Sequence, residues 1–186
     1  MEIFTCVMLI LLAYLIITYN MFMEKKNDIK EIESTINRYL IQKFDLIPSL
    51  IDCIKEFMVN EKQTLLNITL QRENFLISGN LKEGQKLNIE CKKMVTLAEK
   101  FPELRNNSKF SSLKKSLIKL EHQLQTATKI YNIEVNNYNN KVKKFPSNII
   151  ANIFGFNKED LFEVDEEKNN ENEDVQDWYM LNINKL

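Results

Sequence analysis

The chain has 186 residues, the size of one domain or of one domain with an appendage. Its three glycines and three prolines are too few for the many tight turns of an all-β fold, so that fold class is excluded. The formal net charge is −1, yet residues 158–177 hold ten acidic residues against two lysines, a net of −8 that leaves +7 elsewhere. This positive charge is modest and forms no basic and aromatic stripe, so no nucleic acid is expected as a partner.

An uncharged apolar run, residues 3–22, is the first predicted element. It has the length of an α-helix that crosses a hydrocarbon core about 30 Å thick. The chain opens without a basic segment and shows no A-x-A cleavage pattern, which favours a retained anchor, residues 1–23, over a cleaved signal peptide. The run has no polar face, which argues against the core helix of a soluble protein.

Lysines follow this run, and none precedes it. Because Lys25, Lys26 and Lys30 lie just after the run, the positive-inside rule predicts a single-pass protein of the cell membrane. Its short N-terminus would be outside and the remainder cytoplasmic. We expect the anchor to continue through Tyr19-Asn20 into the next helix without a flexible linker.

Four amphipathic helices are predicted behind the anchor from apolar residues spaced three and four apart. Their approximate bounds are 29–44, 47–77, 85–100 and 109–144, and a short apolar turn follows at 148–154. Asp45 is expected to cap the second helix, with Pro48 in its first turn. Gly79 suits the left-handed position that ends it.

The predicted fold is all-α, with the transmembrane helix continuing into an antiparallel, up-and-down-like bundle of about four helices, two of them long, over residues 24–156. Isolated amphipathic helices are marginal in water, and a bundle buries their apolar faces. A parallel coiled-coil dimer is the competing arrangement, which the turn signals disfavour. Residues 157–186 are acidic and asparagine-rich and are predicted to form a largely disordered tail. The alternative is a tail that docks on the basic body through Trp178 and Tyr179.

The cysteines, Cys6, Cys53 and Cys91, have neither metal-ligand nor redox spacing, and their odd number is not that of a disulfide scaffold. A di-iron bundle needs Glu-x-x-His on two helices, and this chain has a single histidine, His122. Its three glycines stand apart from one another and form no phosphate-binding loop. No metal and no cofactor are therefore predicted.

Several segments are more specific than helical periodicity requires. They are Tyr19-Asn20, 44–50, 60–65, 97–104, Phe110 with Leu113 and Leu117, Glu121, Tyr131-Asn132, Tyr138-Asn139 and 145–151. In this order and spacing they resemble the LemA family, across nearly the whole chain up to Phe156. The resemblance implies an N-terminal membrane helix with a short outside terminus and a helical-bundle body, and it carries no established catalytic activity.

Twelve positions in these segments are predicted to have a structural or interaction role. They are Tyr19, Asn20, Asp45, Pro48, Glu61, Glu121, Tyr131, Asn132, Tyr138, Asn139, Phe145 and Pro146. Tyr131-Asn132 and Tyr138-Asn139 are one heptad apart and suit core packing, a polar layer, or a groove for another helix.

Glu61 is expected on the buried seam of the second helix, with Arg72 further along the same side and Glu121 meeting the same layer. We interpret these residues as a buried polar tie that fixes helix register. The alternative is a catalytic pair of carboxylates, but no nucleophile or oxyanion device accompanies them, so no enzyme activity is expected.

The function predicted is therefore a non-enzymatic interaction module at the membrane, which presents a helix groove or its acidic tail to a protein partner. The alternative is a self-assembling structural organiser of the membrane.

Overall fold

The computed structural model describes residues 1–162, and all regular structure in that range is helical, as predicted. The helices are α1 (Glu2–Phe44), α2 (Ile47–Ile54), α3 (Lys62–Ser78), α4 (Leu81–Ala98), α5 (Pro102–Arg105), α6 (Ser108–Lys143) and α7 (Ser147–Phe154). A single 3-10 turn, Val59–Glu61, precedes α3.

The two longest helices, α1 and α6, pack against each other and form the spine of the bundle. They run antiparallel, since Phe22 of α1 meets Tyr138 of α6 while Lys43 of α1 meets Glu121. At 1.5 Å per residue, α1 is about 65 Å long and α6 about 54 Å long. The hairpin of α3 and α4 lies beside this spine, with α4 against α1.

Helix α1 is one uninterrupted element, but only its second part belongs to the bundle. Its first buried residue is Thr18, and burial then recurs along one stripe through Phe22, Ile29, Ile36 and Leu40. The apolar residues before Thr18 extend beyond the bundle. The predicted continuity through Tyr19-Asn20 is confirmed, because no break in α1 separates the apolar run from its amphipathic part.

The predicted second helix, 47–77, is wrong in its continuity. Helix α2 ends at Ile54, and the backbone at Met58 leaves the helical region with φ −105° and ψ 47°. The break follows from packing, because α2 contacts α6 while α3 contacts α4, and one straight helix could not lie against both. Met58 is buried at this corner and joins the two parts through the core.

Helix boundaries elsewhere follow local capping. Gly79 ends α3 with φ 60°, the left-handed conformation that was predicted. The Asn80 side chain then accepts from the Lys82 N–H at 2.9 Å, so α4 begins at Leu81 rather than near 85. The Asn107 side chain caps α6 by accepting from the N–H groups of Lys109 and Phe110.

Helix α7 closes the end of the bundle nearest the apolar run. It packs on both α1 and α6, with Ile150 and Ala151 buried. Gly155 ends α7 in a left-handed conformation, and Phe156 then turns back into the core.

Candidate functional site

Two asparagine side chains on α6 hold a short extended stretch of the chain. The Asn132 amide group donates to the backbone carbonyl of Phe162 at 2.9 Å, and its oxygen accepts from the Phe162 N–H at 2.9 Å. Asn139 makes the same pair of hydrogen bonds with the backbone of Glu159, at 2.9 and 3.0 Å. We call these two side chains the asparagine seat and residues 159–162 the docked segment.

The spacing of the asparagine seat matches that of an extended backbone. Asn132 and Asn139 are seven residues apart, about 10.5 Å along an α-helix and nearly two full turns. Glu159 and Phe162 are three residues apart, about 10 Å in an extended chain. One helix face therefore meets the docked segment at both ends, and the segment runs antiparallel to α6.

Tyr131 adds a third backbone contact. Its hydroxyl donates to the carbonyl of Asp160 at 3.2 Å, and its ring lies edge-on to that of Phe162 with centroids 6.5 Å apart. Burial raises the pKa of the Tyr131 hydroxyl above its ordinary value of 10.0, and nearby carboxylates raise it further. The hydroxyl therefore stays protonated and remains a donor at neutral pH. These five hydrogen bonds from Asn132, Asn139 and Tyr131 all involve the backbone of the docked segment.

Ion pairs connect the acidic side chains of the docked segment to the basic body. Glu159 pairs with Lys26 of α1 at 3.4 Å, and Asp160 pairs with Lys82 of α4 at 3.1 Å. Both pairs are partly or largely exposed, so their contribution to stability is small. The hydrogen bonds to the backbone therefore contribute most of the polar stabilisation of the docked segment, and the ion pairs add little.

Packed structure thus continues beyond residue 156, where the bundle was predicted to end. Phe156 is buried, and the docked segment lies on α6. The contacts predicted for Trp178 and Tyr179, and the predicted disorder of residues 163–186, fall outside the described residues.

A second polar cluster joins three helices in the core. The Lys43 ammonium of α1 donates to the Asn88 side-chain oxygen of α4 at 2.6 Å and to the Glu121 carboxylate of α6. The other carboxylate oxygen of Glu121 pairs with Lys92 at 2.8 Å. Burial alone would raise the pKa of Glu121, but the charges and hydrogen bonds of Lys43 and Lys92 outweigh it and hold the pKa below its ordinary value.

Comparison with known proteins identifies the family. The family model described as LemA matches residues 32–176, most of the chain. The chain belongs to the LemA family. The match includes the asparagine seat, the docked segment and the core polar cluster, and it extends past Phe156, where the resemblance seen in the sequence ends. A search of the curated proteins finds no match.

In this LemA-family chain the core polar cluster differs from the predicted tie. Glu121 lies in a buried layer, but its partners are Lys43 and Lys92. Glu61 is half-exposed at the end of the 3-10 turn and accepts from the Thr64 hydroxyl at 3.1 Å. The prediction that Glu61 shares a buried layer with Glu121 is wrong, because the helix break at 55–61 takes Glu61 off the stripe.

Arg72 and Asp45 also have roles other than those predicted. The Arg72 guanidinium donates to the carbonyl of Phe44 at 2.8 Å and pairs with the Asp45 carboxylate at 3.1 Å. Arg72 thereby supplies a hydrogen-bond donor to a carbonyl at the C-terminal end of α1. Asp45 is not the cap of α2, whose N-cap residue is Leu46 without a side-chain hydrogen bond.

The remaining predicted positions lie at element ends. Tyr19 packs on the rings of Phe154, the last residue of α7, and Phe156, whereas Asn20 is exposed. Pro48 occupies the first turn of α2, as predicted. Phe145 is exposed, and Pro146 stands directly before α7. Tyr131 and Tyr138 are both buried, and the asparagines beside them face an extended segment rather than another helix or a polar layer.

Lys43 and Asn88 were missed in the sequence, although a signal for both was present. Lys43 follows Ile36 and Leu40 at helical spacing, and Asn88 lies between Leu87 and Cys91, so each polar residue falls on an apolar stripe. A polar residue on such a stripe needs a buried partner. The docked segment was missed because the acidic composition of residues 157–186 predicted a disordered tail, in which Phe162 was given no packing role.

Proposed function

We propose that this LemA-family protein is a membrane-anchored, non-enzymatic interaction module whose asparagine seat binds an extended segment of a protein partner. The observation that supports this is the double hydrogen bond made by each asparagine. An amide side chain that pairs with both the N–H and the C=O of one residue recognises an extended backbone and places little demand on sequence.

The docked segment is the resident occupant of the seat in this proposal. It belongs to the same chain, so its effective concentration at the seat is high, on the order of millimolar for a short tether. A partner therefore needs further contacts or a high local concentration to displace it. Confinement to one membrane supplies that local concentration.

The membrane anchor in the proposal rests on α1. Within residues 1–162, one helix is long and apolar enough to cross a membrane, and little of its apolar part is buried. A signal sequence passes the same test of length and composition. Retention is favoured because removal of the run would also remove Phe22, which is fully buried against Tyr138 and Phe156. We place the bundle in the cytoplasm on the basis of Lys25, Lys26 and Lys30.

Photo-crosslinking in cells tests the binding proposal. A photoreactive amino acid at Asn136, exposed and one helical turn from Asn132, would lie beside the seat. We expect a cross-link to a second protein that is lost in the Asn132→Ala/Asn139→Ala variant. Asn137→Ala is the matched control, because this exposed asparagine lies on another side of α6. Cross-links confined to the protein's own chain would contradict the proposal.

One observation favours the alternative of a self-assembling organiser. Helix α3 has apolar residues on the side opposite its buried stripe, and they are exposed: Leu66, Leu70 and Ile77. A helix that is apolar on two sides is typical of one that packs on two neighbours. Self-association through α3 predicts a complex whose size in detergent depends on concentration and falls with Leu66→Glu/Leu70→Glu. A wild-type monomer at every concentration would contradict it.

A further inference from the structure

Helix α7 lies level with the end of the apolar run of α1. The Phe154 ring of α7 packs edge-on against Tyr19 with centroids 5.0 Å apart, and Phe156 stacks on Phe22 at 4.9 Å. Tyr19 and Phe22 are both in the run 3–22. Both residues lie in the last turn of the run, about 4.5 Å apart along the helix axis. If this run spans the bilayer, α7 therefore lies at the depth where the span leaves the hydrocarbon core.

The outward side of α7 is mostly apolar, with Asn152 as its exposed polar residue. Ile149 and Ile153 are one helical turn apart and 50% and 67% exposed, while Phe145, just before the helix, is 74% exposed. The inward side is apolar as well, because Ile150 and Ala151 are buried against the bundle. A surface helix of a soluble bundle would present polar residues outward. An apolar environment that also contacts the end of the α1 run would remove these exposed side chains from water.

Lysines lie at the same end of the bundle. Lys143 and Lys144 are exposed directly before Phe145. The Lys141 ammonium lies 3.1 Å from the sulfur of Met21, which places the end of α6 beside the end of the span. Basic residues next to an exposed apolar helix face form the pattern of helices that lie in the interface of an anionic membrane.

We propose that α7 is a second membrane contact, which rests on the lipid surface where α1 emerges and inserts Phe145, Ile149 and Ile153 into the headgroup boundary. This inference depends on the proposed membrane anchor. The occupant is lipid because the apolar face of α7 is continuous with that of the span through Phe154 and Tyr19. The contact fixes the orientation of the bundle at the membrane. With α1 as the single attachment, the bundle would be free to rotate about the axis of α1.

Depth-dependent quenching tests the contact on the full chain. The protein is reconstituted into vesicles of phosphatidylcholine and phosphatidylglycerol that carry bromine near the top of the acyl chains. A single tryptophan is introduced by Ile153→Trp in a Trp178→Phe background, because Trp178 is the only native tryptophan. Leu66→Trp, exposed on α3 and away from α7, is the matched control.

We expect at least a threefold stronger quenching for the Ile153→Trp variant than for the Leu66→Trp variant. Equal, weak quenching of the two would overturn the proposal. A second copy or another protein on α7 would also be detected, because either would shield the residue from bromine, and a second copy would make the shielding depend on the protein-to-lipid ratio. Thermal unfolding of each variant, followed by circular dichroism, verifies that the bundle is intact.

A third position separates this proposal from the anchor. Leu11→Trp, in the exposed part of the run, reports on α1 itself in a second set of vesicles with bromine near the ends of the acyl chains, because residue 11 lies near the middle of the run. Quenching of the Leu11→Trp variant without quenching of the Ile153→Trp variant overturns the α7 contact and leaves the anchor standing. Absence of quenching at both positions overturns both proposals. Quenching at position 153 alone contradicts the anchor, and with it the proposed contact, which requires α1 to emerge from the lipid beside α7.

Discussion

Lys43 and Glu121 form an ion pair that is nearly closed to solvent, with side chains only 5% and 15% exposed. It joins the last turn of α1 to α6, and Asn88 brings α4 to the same point. The two helices that form the spine are therefore connected by a polar contact as well as by apolar packing. Two predictions depend on this pair.

The first concerns the cost of breaking it. Glu121→Gln leaves the Lys43 charge buried beside Asn88 alone and should lower the free energy of unfolding by about 3 kcal/mol. Replacing both partners, Lys43→Met/Glu121→Leu, should cost much less than the sum of the single changes. Thermal and denaturant unfolding in detergent measure this coupling. Asp52→Asn, which breaks the exposed pair with Lys55, is the control and should change nothing measurable. Additive effects of the two core changes would contradict the prediction.

The second prediction concerns how the stability contributed by Glu121 depends on pH. The pKa of Glu121 is lowered in the fold, so its contribution to stability is complete above the ordinary value of 4.5 and is lost as the pH falls through the lowered pKa. The difference in unfolding free energy between wild type and Glu121→Gln should be constant near neutral pH and shrink below 4.5. Unfolding curves at several pH values measure it. A difference that grows toward acid would show that the sign is wrong.

The asparagine seat should control exchange in the docked segment. Without the side chains of Asn132 and Asn139, the N–H groups of Phe162 and Glu159 lose their acceptors. Asn132→Ala/Asn139→Ala should therefore speed hydrogen exchange of the Glu159 and Phe162 amides by about tenfold or more. It should cost about 1 kcal/mol of stability per asparagine. Asn137→Ala should leave both unchanged. Unaltered exchange in the double variant would mean that other contacts hold the segment.

Gly84 is required where α4 approaches α1 and α3. A Cβ atom at this position would lie 2.6 Å from Cε2 of Phe75 and 2.9 Å from Cδ1 of Leu40. Gly84→Ala should thus destabilise the bundle by about 1 to 2 kcal/mol, although alanine is the better helix former. Phe75→Leu in the Gly84→Ala background should recover part of the loss. Unfolding midpoints measure both effects, and a stabilising Gly84→Ala would contradict the assignment.

Cys91 should report on unfolding of the core. Burial raises the pKa of its thiol to about 12, so almost no thiolate is present at neutral pH. Alkylation of Cys91 should be slow in the folded protein and rise together with global unfolding. Half-buried Cys53 is the internal comparison and should react earlier. Rapid labelling of Cys91 in the native state would show that α4 opens locally.

Local sequence was enough for several elements. Apolar residues spaced three and four apart predicted a helix at 109–144, within one residue of α6 at each end, because helical periodicity acts within a few residues of chain. The same holds for Gly79, whose left-handed conformation needs only the absence of a Cβ atom.

Other features depended on partners far along the chain. The break between α2 and α3 arises because α2 packs on α6 whereas α3 packs on α4. No residue at 55–61 is a glycine or proline that would indicate a break in the sequence. Glu61 moved off the core stripe as a consequence. The partner of Lys43 is 78 residues away on α6, so its identity depends on the antiparallel register of two helices.

The sequence by itself determined that this is a helical bundle behind an apolar helix, since those properties follow from composition and from a period of 3.6 residues. Only the tertiary structure decided that Asn132 and Asn139 form a seat for an extended segment. The pairing needs two spacings to coincide, seven residues of helix and three residues of extended chain. That coincidence exists only after residues 159–162 have folded back along α6.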